Sequence, residues 1–220
     1  MSVFLSSHKI NGVKAKIIKL LHIKVSPDIT GSSSRAVSNR LAEKLKNHYT
    51  GLVETILDLS ETPLPHLDAL TIGSFFTMAE NRTSEQCAAI ERSEQMVNLL
   101  LENDLIIISS PMWNLGLPSV LKAWFDHITR SGRTFGFTDS VTKFGMVTGK
   151  KVYVVVASGS MFTNAPCMND NLFSPYIKKA LSYVGITDVQ FIHINGTHDP
   201  RSRGTALSDA IKFVNQLVIN

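Results

Sequence analysis

From residue 17 onward the chain alternates two spacings of apolar residues: short β-rich runs, and longer stretches in which an apolar side chain recurs every three or four positions. Residues 17–25 (IIKLLHIKV) read as a first strand, because a short run rich in Ile, Leu and Val suits the inside of a sheet. The turn-rich stretch SPDITGSSS follows, and Val37, Leu41 and Leu45 at i, i+4 and i+8 then predict a helix. A second strand at about 52–59 gives way to Pro63, Pro65 and a long irregular stretch ending near Ser84. Ser84 is placed to cap a helix that carries Cys87, Ile90, Val97, Leu100 and Leu101 on one face.

Leu105 to Ile108 is apolar throughout and is bounded by Ser109-Ser110-Pro111, the pattern of a central parallel strand covered on both faces. After the loop PMWNLG, Pro118 suits a first helical turn, and Leu117, Leu121, Phe125 and Ile128 keep helical spacing. Val152 to Ala157 is a fourth strand, leading through SGSMFTNAP to a helix from about Asp170 to Val184 that Gly185 ends. A fifth strand, Val189 to Ile194, precedes a last helix with Leu207, Ile211, Val214 and Val218. The stretch GRTFGFTDSVTKFGMVTGKK breaks the alternation; its Thr, Phe and Val content and Gly punctuation predict a β-hairpin excursion before the fourth strand.

Five strands joined by helical crossovers imply an α/β fold built on a doubly wound, five-stranded parallel sheet, with 2-1-3-4-5 as the expected strand order. Nothing divides residues 17–220 into two domains, and residues 1–16 read as a loose N-terminal extension. Five lysines and no acidic residue among residues 1–27 are faintly like a transit peptide, but the run at 17–25 reads better as a strand than as part of a cleavable helix.

Composition narrows the classes further. With 44% apolar and 18% charged residues the chain can bury a core, which excludes a wholly disordered or collagen-like chain. Its apolar runs fall far short of the roughly 18 residues that cross a bilayer. The formal net charge of +4 permits an anionic ligand without calling for nucleic acid. Cys87 and Cys167 are far apart and lack CxxC or Cys/His ligand spacing, so neither a disulfide scaffold nor a metal site is indicated, and a reducing, cytoplasmic setting fits.

In an open α/β sheet ligands collect beyond the carboxyl ends of the strands, at the point where strand order reverses. The loop after the first strand, Ser26 to Arg35, offers hydroxyls, a glycine and a helix N-terminus, which together make a phosphate cradle; the alternative is an ordinary Ser-rich cap. Arg35 in the first helical turn is unfavourable unless an anion lies nearby. The loop after the third strand puts Met112 and Trp113 beside Asn114, which suits a planar aromatic ligand, or a gap filled beneath the loop. Ser158-Gly159-Ser160-Met161-Phe162 after the fourth strand is placed to donate backbone N–H groups to the same ligand, the alternative being a plain strand-to-loop turn. Gly145 to Lys151 only mimics a nucleotide-triphosphate loop, having one residue too few between its glycines and no Ser or Thr after the lysine. His127 reads as a partly exposed structural residue, and Asn81-Arg-Thr and Asn195-Gly-Thr match glycosylation acceptors with no other sign of secretion.

In chain order from about residue 17 to 218, these segments resemble the FMN-dependent NADH-azoreductases, a branch of the flavodoxin-like quinone reductases. SSPMWNLGLPSVLKAWFDHITRSGRTFGFT at 109–138 is similar to that family's P-M-aromatic-N motif with its following helix and TFxY/F segment. VTGKKVYVVVASGS at 147–160 and SPYIKKALSYVGITDV at 174–189 agree in order and spacing. The resemblance implies a flavodoxin-like fold, FMN as cofactor, NADH as electron donor, a quinone or azo compound as acceptor, and a homodimer with its pocket at the subunit interface. Carried over by position, it implies that Ser26, Ser32, Ser33 and Ser34 hold the FMN phosphate, that Pro111, Met112, Trp113, Asn114 and Leu115 border the ribityl chain and the ring, and that Ser158, Gly159, Ser160 and Met161 meet the ring's pyrimidine edge.

The chain departs from the family at two places: Ser-Gly-Ser-Met replaces a glycine-rich turn, which sets Met161 against the ring, and Ser140-Val141-Thr142-Lys143 replaces a Gly-Pro turn in the hairpin. The implied mechanism is ping-pong transfer of two electrons at one site, in which the cofactor carries the chemistry and no side chain is required as a general base. A flavodoxin-type electron carrier would need the same fold and loop, although flavodoxins are typically acidic. A phosphate-binding module without redox chemistry is the remaining alternative.

Overall fold

The computed structural model describes residues 16–139, 141–162 and 167–219; of the expected N-terminal extension only Lys16 is among them, and residues 1–15 lie outside the described residues. In chain order the elements are β1 (Lys19–Lys24), α1 (Ser33–His48), β2 (Val53–Asp58), α2 (Ala69–Phe76), α3 (Ser84–Glu102), β3 (Leu105–Pro111), α4 (Ser119–Ile128), β4 (Phe135–Phe137), β5 (Lys143–Gly145), β6 (Lys151–Ala157), α5 (Phe173–Val184), β7 (Asp188–Ile194) and α6 (Ala206–Gln216). Five strands make one parallel sheet in the order β2-β1-β3-β6-β7. With the hairpin strands set aside, this is the expected order 2-1-3-4-5.

Successive side chains of a strand point to opposite faces, and here both faces are covered. Ile106 and Ile108 of β3 and Val152, Val154 and Val156 of β6 enter one core, with Val97, Leu121, Phe125, Ile177 and Leu181 from α3, α4 and α5. Leu105 and Ile107 of β3 and Tyr153 and Val155 of β6 enter the other, with Val37, Leu41, Leu45 and Val214 from α1 and α6. Full burial of one such aliphatic side chain contributes about 1.5–3 kcal/mol, so these two strands anchor the domain.

The expected hairpin forms: Phe135–Phe137 pairs antiparallel with Lys143–Gly145. It lies against α5, with the Phe135 ring 5.0 Å from that of Tyr183 and Lys143 Nζ donating to the Tyr183 carbonyl at 2.6 Å. Gly185 ends α5 with φ +108°, a left-handed conformation in which glycine avoids a Cβ clash.

Three expectations change. The stretch between β2 and α3 is not all irregular, because Asp68 accepts the Thr71 N–H at 2.7 Å and caps α2. This helix buries Thr71 and Ser74 and leaves Leu70, Ile72 and Phe76 exposed, Phe76 at 80%; with its polar side inward, it gives no ordinary amphipathic signal. The cap of α3 is Thr83, in a reciprocal capping box with Gln86, and its buried stripe is Ile90, Ser93, Met96, Val97 and Leu100. Cys87 and Leu101 stand outside that stripe and are exposed, Cys87 in the first turns and Leu101 at the stripe's margin. His127 is fully buried, bonding the Pro65 carbonyl at 2.9 Å through Nε2.

One polar group sits inside the α1-facing core. His22 of β1 is buried, with Nδ1 2.8 Å from Glu54 Oε1 and Nε2 3.0 Å from Ser38 Oγ, and Glu54 also takes Lys46 Nζ at 2.6 Å. Burial holds the His22 imidazole below its ordinary value, while the hydrogen bond from His22 is the main reason the Glu54 carboxyl sits down at about 2. His22 Nδ1 donates to the Glu54 carboxylate, and Ser38 Oγ, beside Nε2, donates its own proton to the Arg35 carbonyl at 3.1 Å.

Both groups titrate lower in the folded chain, so the unfolded chain binds protons first and stability is lost as pH falls, from the ordinary histidine value of 6.5 through about 2. Urea titrations at a series of pH values should show this decline. Glu54→Gln should lower stability at pH 7 and flatten the part of the slope below the ordinary carboxyl value of 4.5; an unchanged slope would mean that Glu54 is not what makes the fold acid-sensitive.

Candidate functional site

The loops after β1, β3, β6 and β7 meet at the carboxyl edge of the sheet around a cleft of about 600 Å³. This lies within the roughly 300–1,000 Å³ range of cofactor pockets.

The first loop is folded by its own polar groups. Asp28 Oδ1 accepts the N–H groups of Thr30 and Gly31 at 3.2 and 2.7 Å. A Cβ on Gly31 would stand 2.6 Å from Asp28 Oδ2, so any other residue there would make the Asp28 carboxylate shift. Ser32 then caps α1, its Oγ accepting the Arg35 N–H at 3.4 Å and lying 3.1 Å from Ser34 Oγ. The first bond of the helix ladder runs from Ala36 N–H to the Ser32 carbonyl at 3.0 Å. Among the described residues the Ser33 and Ser34 N–H groups therefore have no protein acceptor, at the positive end of the helix dipole.

Arg35 is not at the cleft. Its guanidinium is buried behind the loop, bonding the Ser26 carbonyl and both carboxylate oxygens of Asp58. The anion that makes an arginine tolerable in the first turn is thus Asp58 of β2. Burial pushes the Asp58 carboxyl up, but the hydrogen bonds from Arg35 and Ser60 outweigh it and hold the group below the usual carboxylate range.

The second loop turns sharply after β3. Met112 N–H bonds the Ala157 carbonyl at 2.7 Å, and Trp113 and Gly116 exchange two backbone hydrogen bonds at 3.2 and 2.9 Å. Asn114 and Leu115 between them have φ of +47° and +68°. Asn tolerates this region; Leu rarely adopts it, and such strain, of order 1–3 kcal/mol, concentrates at functional sites. Met112 is buried under the turn, while Trp113 is half exposed at the cleft.

The third loop is tied to the segment after β7: Gly196, Thr197 and His198 donate N–H bonds to the carbonyls of Ser160, Ser158 and Gly159 at 3.1, 3.0 and 3.1 Å. Its carbonyls thus face that segment, and among the described residues the N–H groups of Gly159 and Ser160 have no protein acceptor.

The cleft brings together Ser26, Ser32, Ser33, Ser34, Pro111, Met112, Trp113, Asn114, Leu115, Ser158, Gly159 and Ser160. Met161 is turned away, with Sδ 3.6 Å from Ser202 Oγ in a separate hollow beside Phe191 and Phe213. Phe162 at the end of the third loop lines the cleft as the placement of that loop predicts, and so do Thr197 and His198, which the sequence did not single out; the rule that pointed to the loops after the other strands applies equally to the one after β7. Among the described residues no Asp, Glu, Lys or Arg lines the cleft. An anion there would be met by N–H groups, hydroxyls and the helix dipole, and the Asp28 carboxylate of the same loop is engaged by the Thr30 and Gly31 N–H groups. Donors at one end and Trp113 with Met112 beside them fit a phosphorylated aromatic cofactor such as FMN.

A family profile described as flavodoxin-like fold matches residues 18–218. FMN-dependent NADH:quinone oxidoreductase 2 of Hahella chejuensis is 56% identical over 202 residues, which is 92% of this chain and 100% of that protein. The chain belongs to the FMN-dependent NADH:quinone oxidoreductase family. A second member, from Beijerinckia indica, is 38% identical and aligns over 91% of this chain and 99% of its own. An FMN-dependent NADH-azoreductase from Bacillus anthracis, solved in complex with FMN, superposes with a TM-score of 0.81 at 24% identity, covering 90% of this chain and 96% of that one; at that identity the likeness concerns the fold. Among the described residues, Asn114 and Leu115 of the turn at 113–116 are the non-glycine residues with positive φ.

Because Leu115 is partly exposed and held at positive φ, Leu115→Gly should leave stability nearly unchanged or raise it by up to ~1 kcal/mol, whereas Leu115→Val should cost ~1–2 kcal/mol. Denaturant unfolding of both variants checks this, and equal stabilities would remove the claim of strain.

Proposed function

We propose that this chain is an oxidoreductase that binds FMN and uses NADH to reduce quinones and azo compounds, two electrons at a time. The observation that carries the reading is the joining, in one cleft that no Asp, Glu, Lys or Arg among the described residues lines, of a serine-rich helix N-terminus to the Met112–Trp113 turn; family membership supports it. A flavodoxin-type carrier is not favoured, since the relatives are NADH oxidoreductases.

In this reading Ser26, Ser32, Ser33 and Ser34 take the phosphate with their hydroxyls and the free N–H groups of the first helical turn. Pro111 to Leu115 lie along the ribityl chain and ring, and the Gly159 and Ser160 N–H groups face its polar edge, where donors stabilise negative charge as the cofactor is reduced. Bound FMN supplies the atom that accepts hydride from NADH and passes it on. The protein's work is to hold the ring, to keep one face open, and to let NADH and the acceptor use that face in turn. Met161 has no part in this.

A homodimer belongs to the same proposal. Phe137, Val141 and Phe144 on the hairpin and Leu70, Ile72 and Phe76 on α2 leave apolar surface that a monomer would expose. A cytoplasmic setting, where NADH is supplied and both cysteines stay reduced, completes it.

Purified protein should show a flavin absorption spectrum, and heat-released cofactor should chromatograph as FMN; FAD, or no flavin uptake, would sink the reading. Initial-rate lines at several acceptor concentrations should be parallel, since intersecting lines mean a ternary complex. Ser32→Asp sets a carboxylate against the phosphate and should weaken FMN binding by about tenfold or more, while unchanged affinity would return the loop to a plain helix cap. Sedimentation at micromolar concentration should give a dimer that Phe76→Asp weakens.

A further inference from the structure

We infer that Arg35 is a positioning residue that makes the cleft selective for a phosphorylated flavin over the same flavin without its phosphate. The inference rests on the FMN reading and deepens it, for Arg35 lines no part of the cleft.

Arg35 ties together the groups that bound the phosphate end. Its Nε and Nη2 donate to the Ser26 carbonyl at 2.9 and 2.5 Å, so the backbone of Ser26, a residue that lines the cleft, is gripped from behind. Nη1 and Nη2 reach Asp58 Oδ2 and Oδ1 at 2.6 and 2.9 Å, and Nη2 also reaches Ser60 Oγ at 2.9 Å. The residue's own N–H fills the Ser32 cap. One side chain thus locks the end of β1, the end of β2 and the first turn of α1 in register, and the loop at 26–32 is held at both of its ends.

General physics says that this arrangement is not there for stability alone. A cation at a helix N-terminus opposes the dipole, and a buried ion pair contributes little net stability against an apolar replacement of similar shape. What the guanidinium provides that an apolar side chain cannot is a planar fork with fixed donor directions. Here the fork sets the direction of the Ser26 carbonyl and the height of the first helical turn, and with them where the Ser26 hydroxyl and the Ser33 and Ser34 N–H groups converge. Lysine keeps the charge and loses the fork.

The test compares FMN with riboflavin, which lacks only the phosphate, by quenching of flavin fluorescence on wild-type protein, Arg35→Lys and Arg35→Met. Wild type should bind FMN much more tightly than riboflavin. Both Arg35 variants should shrink that ratio by about tenfold or more, the scale expected when the phosphate loses one well-aimed N–H or O–H donor, with riboflavin affinity held within about threefold. If either variant does not fold, Asp58→Asn, which keeps the shape of the clasp and one oxygen acceptor, should shrink the ratio in the same direction. An unchanged ratio, or equal loss of both ligands, overturns the inference and leaves Arg35 a plain structural residue, with the FMN reading intact. A wild-type protein that binds neither flavin, or binds both alike, overturns the phosphate cradle and this inference with it.

Discussion

Parallel strands cannot be joined by tight turns, so each link in the five-stranded sheet has to leave one end, cross a face and return to the other. The two faces are buried as a consequence, and β3 and β6 are apolar on both sides because α3, α4 and α5 cover one face while α1 and α6 cover the other. The same constraint sends the loops after β1, β3, β6 and β7 to one edge. Between β1 and β3 the chain winds in opposite directions, to β2 on one side and to β6 on the other, and the cleft opens there.

Within that cleft the polar work falls to the backbone. Among the described residues no carboxylate, lysine or arginine lines it; Arg35 and Asp58 are paired behind the serine-rich loop, and the Asp28 carboxylate is clasped within it. A site of this kind discriminates by the placement of N–H groups, which depends on how rigidly the loops are held. The Asp28 clasp, the Ser32 cap, the exchange of bonds between Trp113 and Gly116 and the ties from Gly196, Thr197 and His198 each fix one loop. The strain at Leu115 fits the same logic, since a backbone held against its preference keeps its groups aimed.

Much of this was legible in the chain. Two-sided burial leaves an unbroken apolar run such as Leu105–Ile108, helix faces leave spaced leucines and valines, and loops at the carboxyl edge leave serines, glycine and proline, so strand order and the loops that line the cleft followed from pattern and from rules of connection, while the family resemblance picked out the individual residues. What did not follow has physical causes. α2 turns Thr71 and Ser74 inward and its apolar residues outward, so the periodicity that marks a helix pointed nowhere. Thr83 replaced Ser84 as a cap because either hydroxyl satisfies the local chemistry, and only the reciprocal bond with Gln86 decides between neighbours.

The sequence by itself determined the alternation of strand and helix, the reversal point of the sheet and the chemical character of the loops there, because each depends on spacing along the chain. Only the tertiary structure decided where side chains in those loops went. Arg35 turned back to Asp58, Met161 turned out toward Ser202, and Thr197 and His198 came in beside Gly159. These choices depend on partners 23, 41 and 39 residues away in the chain, and no local pattern encodes a contact whose other half arrives from a different strand.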